Sequence, residues 1–565
     1  MKKLSHNILL MTSIAFYLAL GFFTAAEVPQ LRERIYVQTD KELYLSGETI
    51  LLKLITTDQS LKPLIFSKIA YVELVSDTDY KLQIIVELKN GIGTGEIILP
   101  VDFPTGYYRL IAYTQFMRNE GENVFFEKNI GVINTFQWGY YITDEINPTN
   151  IPLQNTKKKE VAPTLHLDKS TYPQRTRGEF TISGLPENIH TLSVSITGKE
   201  IFPCIESCES LFLKNHTEGL IEFSGTFLPE FEGHIVTGLV VDNKTEKEQY
   251  EPLLESAIGF PAEGIRFYAG KNRENGEVLF VTSGISGTKE IATVIFNAGE
   301  KYRIDIKSPF ISKFNHKPLD EFRIDTVYYE TLLARSVALQ LLRYFSDDFS
   351  ENQIISDSYF KAEPDFSFIL EEYTRFTTMR EVFTEFVDGA RFRRKDGKWE
   401  ISVLTNIGGS FEYGSMPLVM LDGVPIKDHN DIFNYDPHNI EKINIYMGPF
   451  ALGGYMFDGV VELTTYNRKH EDLNFNRATQ ILAYDGPQTQ FNKETPDYSI
   501  ETNRKSRIPD GRHTLLWKPD IKTDGKHSII VPFDTSDLTG EFQATLQGIT
   551  KEGEFINATI FFKVE

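Results

Sequence analysis

The run Pro417-Leu-Val-Met-Leu-Asp-Gly-Val-Pro-Ile426 constrains this chain more than any other stretch of it. An apolar segment breaks at Asp422-Gly423 and resumes at Val424. Asp-Gly tolerates the positive φ that a two-residue hairpin turn demands. Two β-branched runs follow, Asn439-Ile-Glu-Lys-Ile-Asn-Ile-Tyr-Met-Gly448 and Gly459-Val-Val-Glu-Leu-Thr-Thr465, each bounded by glycine. The pattern predicts strand, tight turn, strand, and then two longer strands. Turn geometry alone accounts for Asp422.

The same order of residues resembles the plug domain of TonB-dependent outer-membrane receptors. Leu421, Asp422, Gly423, Val424, Pro425, Ile440, Glu441, Ile443, Gly448, Gly459 and Val460 carry the likeness. In that family the plug sits inside a barrel of about 22 strands encoded downstream. A membrane strand needs roughly 9–11 residues, and the sequence between Thr465 and Glu565 is far too short for such a barrel. The resemblance therefore implies a plug without its barrel, and a partner in place of transport by the chain itself.

A chain of 565 residues predicts several domains, because single cores rarely grow past about 250–300 residues. The formal net charge of −21 argues against nucleic acid or anionic lipid as a partner. Lys2 and Lys3, the apolar stretch Ile8 to Phe23 and the small residues Thr24-Ala25-Ala26 read as an export signal cleaved near Ala26. No later window approaches the roughly 18 consecutive apolar residues of a spanning helix. The expectation is an exported protein, periplasmic or associated with the outer membrane, with no membrane helix after cleavage. The two cysteines, Cys204 and Cys208, suit a small disulfide-closed loop in an oxidising compartment, with two free thiols as the alternative.

Short strands separated by turn signals predict a mainly β, multidomain chain of tandem antiparallel sandwiches plus one small α+β unit. Tyr36, Thr39, Asp40, Lys41, Tyr44, Gly47 and Glu48 match the pattern Tyr-x-x-Thr-Asp-Lys-x-x-Tyr-x-x-Gly-Glu. That stretch resembles a macroglobulin-type domain of the α2-macroglobulin family and implies an immunoglobulin-like sandwich over 30–134. Asp168-Lys169-x-x-Tyr172 repeats Asp40-Lys41-x-x-Tyr44 and places a second sandwich at 163–230, after a linker at 135–162. The start Gly238-Leu-Val-Val-Asp242 resembles carboxypeptidase-regulatory modules and implies a third sandwich over 231–315. A helical segment at 320–390 precedes the plug-like unit at 391–470. Within it, Thr378 and Glu381 form a capping box, and Met379, Val382, Phe383, Phe386 and Val387 make one apolar stripe. A polar linker at 471–506 leads to a last immunoglobulin-like sandwich at 507–565.

Catalytic patterns are missing from the sequence. There is no His-Glu-x-x-His, no Gly-x-Ser-x-Gly and no phosphate-cradling Gly-x-x-x-x-Gly-Lys loop. Neither cysteine stands in the Cys-Gly-Glu-Gln context on which macroglobulin thioester chemistry depends. Adjacent carboxylates such as Glu371-Glu372 do not share a helix face. The expected function is a non-enzymatic envelope scaffold without cofactor or metal. It would dock on an outer-membrane β-barrel protein or envelope complex through residues 410–470. The competing reading is a peptide- or glycan-binding accessory of TonB-linked nutrient uptake, and a hydrolase with a site assembled from distant residues is a third.

Overall fold

The computed structural model describes residues 31–565 apart from 78–80, 138–141, 144–162, 200–222, 316–317, 346–359, 408–409, 469–478, 490–494 and 524–527. The export signal, Cys204 and Cys208, and the disulfide expected of them lie outside the described residues.

The chain is mainly β and multidomain. The first unit comprises β1 (Arg34–Thr39), β2 (Leu43–Leu45), β3 (Thr49–Thr57), β4 (Ile69–Val75), β5 (Lys81–Lys89), β6 (Ile92–Ile98), β7 (Gly106–Tyr113) and β8 (Phe126–Ile133). Its order is β1-β3-β6-β5-β4-β7-β8-β2, two antiparallel layers joined at β5 and β6, with β2 parallel to β8. Apolar side chains such as Ile50, Leu52, Leu54, Val72, Leu74 and Leu110 fill the space between the layers. After the short strand β9 (Ile142–Thr143) a second unit opens with β10 (Thr164–Leu167), β11 (Thr171–Tyr172), β12 (Arg177–Ser183) and β13 (Ile189–Gly198).

The third unit contains β14 (Ile235–Asp242), β15 (Ser256–Gly259), β16 (Phe267–Ala269), β17 (Lys271–Asn272), β18 (Glu277–Val281), β19 (Thr288–Ile295) and β20 (Tyr302–Ile306). Then come β21 (Ile324–Asp325), paired with β9, and helix α1 (Tyr329–Phe345). The α+β unit follows: β22 (Phe366–Ile369), α2 (Met379–Glu385), β23 (Ala390–Lys395), β24 (Lys398–Ile407), β25 (Ser410–Tyr413), β26 (Leu418–Leu421), β27 (Val424–Pro425), α3 (His429–Phe433), β28 (Ile440–Leu452) and β29 (Tyr455–Thr465). Its main sheet runs β22-β28-β29-β26-β27, with β23-β24-β25 as a second sheet. The helix stripe behaves as its periodicity predicts. Met379, Val382, Phe383 and Val387 are buried in the core of this unit, and Phe386 packs against it.

The last strands are β30 (Gln480–Asp485), β31 (Thr514–Lys518), β32 (Ser528–Asp534), β33 (Gly540–Thr550) and β34 (Phe555–Val564). They correct the expected division of the chain in two places. First, 163–230 and 507–565 do not form separate sandwiches, because β13 pairs with both β33 and β31, and β12 pairs with β32. One core holds Leu192, Val194 and Ile196 together with Leu515, Phe533, Leu546 and Ile556. Second, the polar stretch 471–506 is more than a linker, since β30 adds an edge strand to β19 of the third unit.

The completed second unit has the topology of the first. Its sheets β10-β12-β32 and β31-β13-β33-β34-β11 correspond strand for strand to β1-β3-β6 and β5-β4-β7-β8-β2. Everything between β13 and β31 is thus an insertion between the fourth and fifth strands of a sandwich. The ends of that insertion meet, with Gly198 N donating to His513 O at 3.0 Å.

Candidate functional site

The Asp422-Gly423 turn joins β26 to β27. Both residues have positive φ, +48° and +82°, as a type I′ turn requires. The Asp422 carboxylate accepts from Thr465 N at 2.8 Å and from Thr465 Oγ1 at 2.5 Å, tying the turn to the end of β29. The turn does not face solvent. Ala262 N donates to the Asp422 carbonyl at 2.7 Å, and a Cβ on Gly423 would stand 2.2 Å from the Phe260 carbonyl oxygen. Pro425 lies over Gly259 in the same way. The turn is therefore seated on the loop after β15 of the third unit. Around it Ala257, Ile265 and Phe267 of that unit share an apolar cluster with Leu418, Met420 and Val460.

A polar cleft of about 470 Å³ opens beside the turn, lined by Ala262, Asp422, Glu441, Asn444, Glu462 and Arg468 among others. Asn444 Nδ2 donates to Glu462 Oε2 at 2.9 Å, and the Tyr446 hydroxyl donates to the same oxygen at 3.2 Å. Burial and the neighbouring Glu462 carboxylate both push the Tyr446 hydroxyl pKa up, which keeps it a donor. These groups can hold polar groups of a ligand through paired donors and acceptors.

Of the residues singled out in the sequence, Leu421, Val424, Ile440, Ile443 and Val460 are core side chains with no exposure. Pro425 and Gly459 are also buried, and a Cβ on Gly459 would stand 2.4 Å from Val403. Gly448 lies against the Asp458 backbone. Only Asp422, Gly423 and Glu441 border the cleft. The motif therefore builds and seats the unit, and its residues do not form a free docking face. Among the described residues, no group of three or more histidine, cysteine or acidic side chains is placed to hold a metal ion, and no helix is long and apolar enough to cross a membrane.

The macroglobulin-like stretch forms a junction. Tyr44 Oη donates to Asp40 Oδ1 at 2.7 Å, and Lys41 Nζ contacts Asp40 Oδ2 at 3.1 Å and Glu48 Oε2 at 3.5 Å. Arg335 of α1 donates from Nε and Nη2 to the Glu48 carboxylate at 2.9 and 2.6 Å. Thr514 Oγ1 of the second unit donates to Asp40 Oδ2 at 2.7 Å. Three parts of the chain meet on one buried polar cluster. His513 is partly buried there; desolvation, and then the Arg335 charge, hold its pKa well below the usual range, so it stays neutral. The second unit repeats the local arrangement, Tyr172 Oη donating to Asp168 Oδ1 at 2.6 Å. A similar seam joins the first and third units. Tyr71 Oη donates to Glu230 at 2.9 Å, and His234 lies between Glu230 and Tyr484, at 3.0 and 2.5 Å. Sequence reasoning missed Arg335, His513, Glu230, His234 and Tyr484. Two further buried charges interrupt apolar runs, Lys53 within Ile50 to Ile55 and Glu73 within Ile69 to Val75.

No protein-family model and no curated protein matches the chain. Among solved structures it is similar to the Salmonella alpha-2-macroglobulin reacted with methylamine, at 11% identity and a TM-score of 0.25, over 96% of this chain and 40% of that one. Trypsin-activated alpha-2-macroglobulin from Escherichia coli gives 11% identity and a TM-score of 0.24, over 96% and 42%. An Escherichia coli adhesin gives 12% identity and a TM-score of 0.15, over 48% and 64%. The chain thus spans about two-fifths of the length of the macroglobulins it matches. With TM-scores this low, fold and site rest on the geometry of the chain itself.

Proposed function

We propose that this chain is a non-enzymatic scaffold of the Gram-negative cell envelope, an adaptor that docks through its α+β unit on an outer-membrane β-barrel or its assembly machinery. The seating of that unit carries the reading. Its Asp422-Gly423 turn is fixed to the third sandwich, so one side is anchored. Elsewhere on the unit β25 ends its sheet and leaves Phe411 60% exposed, with Met416 just beyond it at 63%. The partner contact thus shifts from the buried motif to the β25 edge. An added strand there gains main-chain hydrogen bonds, with the exposed apolar side chains supplying contact area. A photo-crosslinking residue in place of Phe411 should capture one dominant barrel protein in native envelopes. The same residue in place of the exposed Leu253 of the third unit should not. Equal, scattered capture at both positions rejects the adaptor.

The cleft beside Asp422 favours a second reading, a peptide- or glycan-binding accessory of nutrient uptake. Its test is direct binding of peptide and glycan libraries to the purified chain and to Arg468→Ala. Binding that is abolished by the substitution supports this reading, and absence of any binding removes it.

A further inference from the structure

The hairpin of β23 and β24 is a basic part of an acidic chain. Five of the ten residues from 390 to 399 are lysine or arginine, and one is acidic. The strands join at Asp396-Gly397, where both residues have positive φ, so the tip is tight. In register, Arg391 stands opposite Ser402, Arg393 opposite Glu400 and Lys395 opposite Lys398. Alternate residues of a strand share a face, so Arg391, Arg393, Lys395 and Lys398 lie on one side of the sheet. Tyr413 opposite Leu404 and Phe411 opposite Asn406 continue that side onto β25. The Arg391 guanidinium accordingly lies over the Tyr413 ring, 3.7 Å from its centre. The other side carries Ile401 and Val403, buried in the core of the α+β unit, so the basic side is the outer one.

This outer side is open. The Lys395 and Lys398 side chains are 55% and 70% exposed, and Phe411 is 60% exposed. Glu400, the carboxylate within the face, stands 3.9 Å from Arg393 and 4.0 Å from Lys395, beyond hydrogen-bond length. Lys398 reaches Asp428 of the next loop at 3.3 Å. Like charges directly opposite each other destabilise a strand pair. The Lys395–Lys398 tip is therefore arranged against its own stability, and an anionic layer over it relieves the repulsion.

From Arg391 to Lys395 the cations are spread over about 13 Å of strand. They do not converge on one point, which suits many phosphates in a plane better than one small anion. Exposed Phe411 at the far end adds the apolar group that a headgroup layer accepts beside basic ones. An acidic polypeptide would engage the cations alone. We infer that the outer face of β23, β24 and β25 rests on an anionic lipid surface, with Arg391, Arg393, Lys395 and Lys398 against headgroup phosphates and Phe411 entering the layer. The net charge of −21 opposes such a partner only where it is near enough to act. At physiological salt, charges more than about 8 Å away are largely screened, so the hairpin decides the contact. The inference goes beyond the adaptor reading, because a bare lipid surface holds no barrel protein.

Co-sedimentation of the whole chain with vesicles tests it. The chain should bind vesicles of phosphatidylethanolamine and phosphatidylglycerol, less so as sodium chloride rises, and should not bind vesicles of phosphatidylethanolamine and phosphatidylcholine. Each basic side chain near an anionic surface contributes about fivefold in partition, so Lys395→Ala combined with Lys398→Ala should weaken binding by about tenfold or more. Lys244→Ala combined with Lys247→Ala, at exposed lysines of the third unit, changes the net charge equally and should leave binding as it is. All four lysines are exposed, so both variants fold, which the far-ultraviolet spectrum checks. No binding to the anionic vesicles overturns the inference, and so does binding that the Lys395 and Lys398 substitutions leave unchanged. Binding of poly-glutamate in place of either vesicle, lost in the same variant, assigns the face to an acidic protein and also overturns it. Capture of a barrel protein at Phe411 is decided separately, in native envelopes.

Discussion

A carboxylate as buried as Glu48 stays ionised only because cations face it. Burial alone pushes its pKa up, but the Arg335 guanidinium and the Lys41 ammonium outweigh burial and hold it well below the usual carboxylate range. Removing one partner of such a pair leaves a buried charge uncompensated, which costs about 3–5 kcal/mol. Glu48→Gln should therefore shift the urea midpoint downward strongly at neutral pH. The sign of the pH effect follows from linkage. The folded pKa lies below the unfolded value of about 4.3, so the unfolded chain binds more protons and stability rises with pH across that interval. The contribution is complete above the ordinary carboxylate pKa and is lost as pH falls below it. Stability curves for wild type and Glu48→Gln should accordingly converge on acidification below about pH 4. Curves that stay parallel would mean that Arg335 and Lys41 do not set the charge of Glu48.

At the scale of single elements, α2 shows what periodicity and capping determine. Thr378 Oγ1 accepts from Glu381 N at 3.2 Å, and the Glu381 carboxylate accepts from Thr378 N at 3.1 Å, closing the capping box expected from the sequence. Thr378→Ala should cost about 1 kcal/mol, measured by thermal unfolding, with activity-independent readouts such as the far-ultraviolet spectrum unchanged. The Asp422-Gly423 turn was legible for the same reason: local geometry dictates local residues. Gly423→Ala forces a side chain into positive φ and toward the Phe260 carbonyl, so it should destabilise by more than about 1 kcal/mol. Limited proteolysis should then cut between the third and α+β units, and an unchanged cleavage pattern would show that the turn does not hold them. What the sequence hid was partnership. Alternation along Leu192 to Ile196 reports which face is buried but not which strand lies alongside. The polar surroundings of Gln480–Asp485 concealed an edge strand for a related reason, since only one side of it meets a neighbour. The repeat Asp168-Lys169-x-x-Tyr172 held the missing information. In the first unit the strand with the signature tyrosine lies parallel to the last strand of its sandwich, and Thr171–Tyr172 likewise pairs with Lys563–Val564.

For the whole molecule, that pairing makes stability non-local. The second sandwich buries Leu192, Val194 and Ile196 only against strands that arrive at the end of the chain. The third sandwich, α1 and the α+β unit lie within its insertion and are fastened back to the first sandwich by Arg335 with Glu48 and by His234 and Glu230 with Tyr71. Cutting off residues 507–565 should therefore unfold more than those residues. It removes one of the two partners of β12 and both partners of β13, leaves an apolar sheet face uncovered, and takes Thr514 from the Asp40 cluster. Native-state hydrogen exchange offers the sharper check. Amides of Ile189–Gly198 should open with the same free energy as those of Gly540–Thr550, because they belong to one cooperative unit despite their separation in sequence. If instead 189–198 exchanges independently of the chain's last strands, the second sandwich is not the structural unit that its shared core describes. The insertion would then hang from the first sandwich alone.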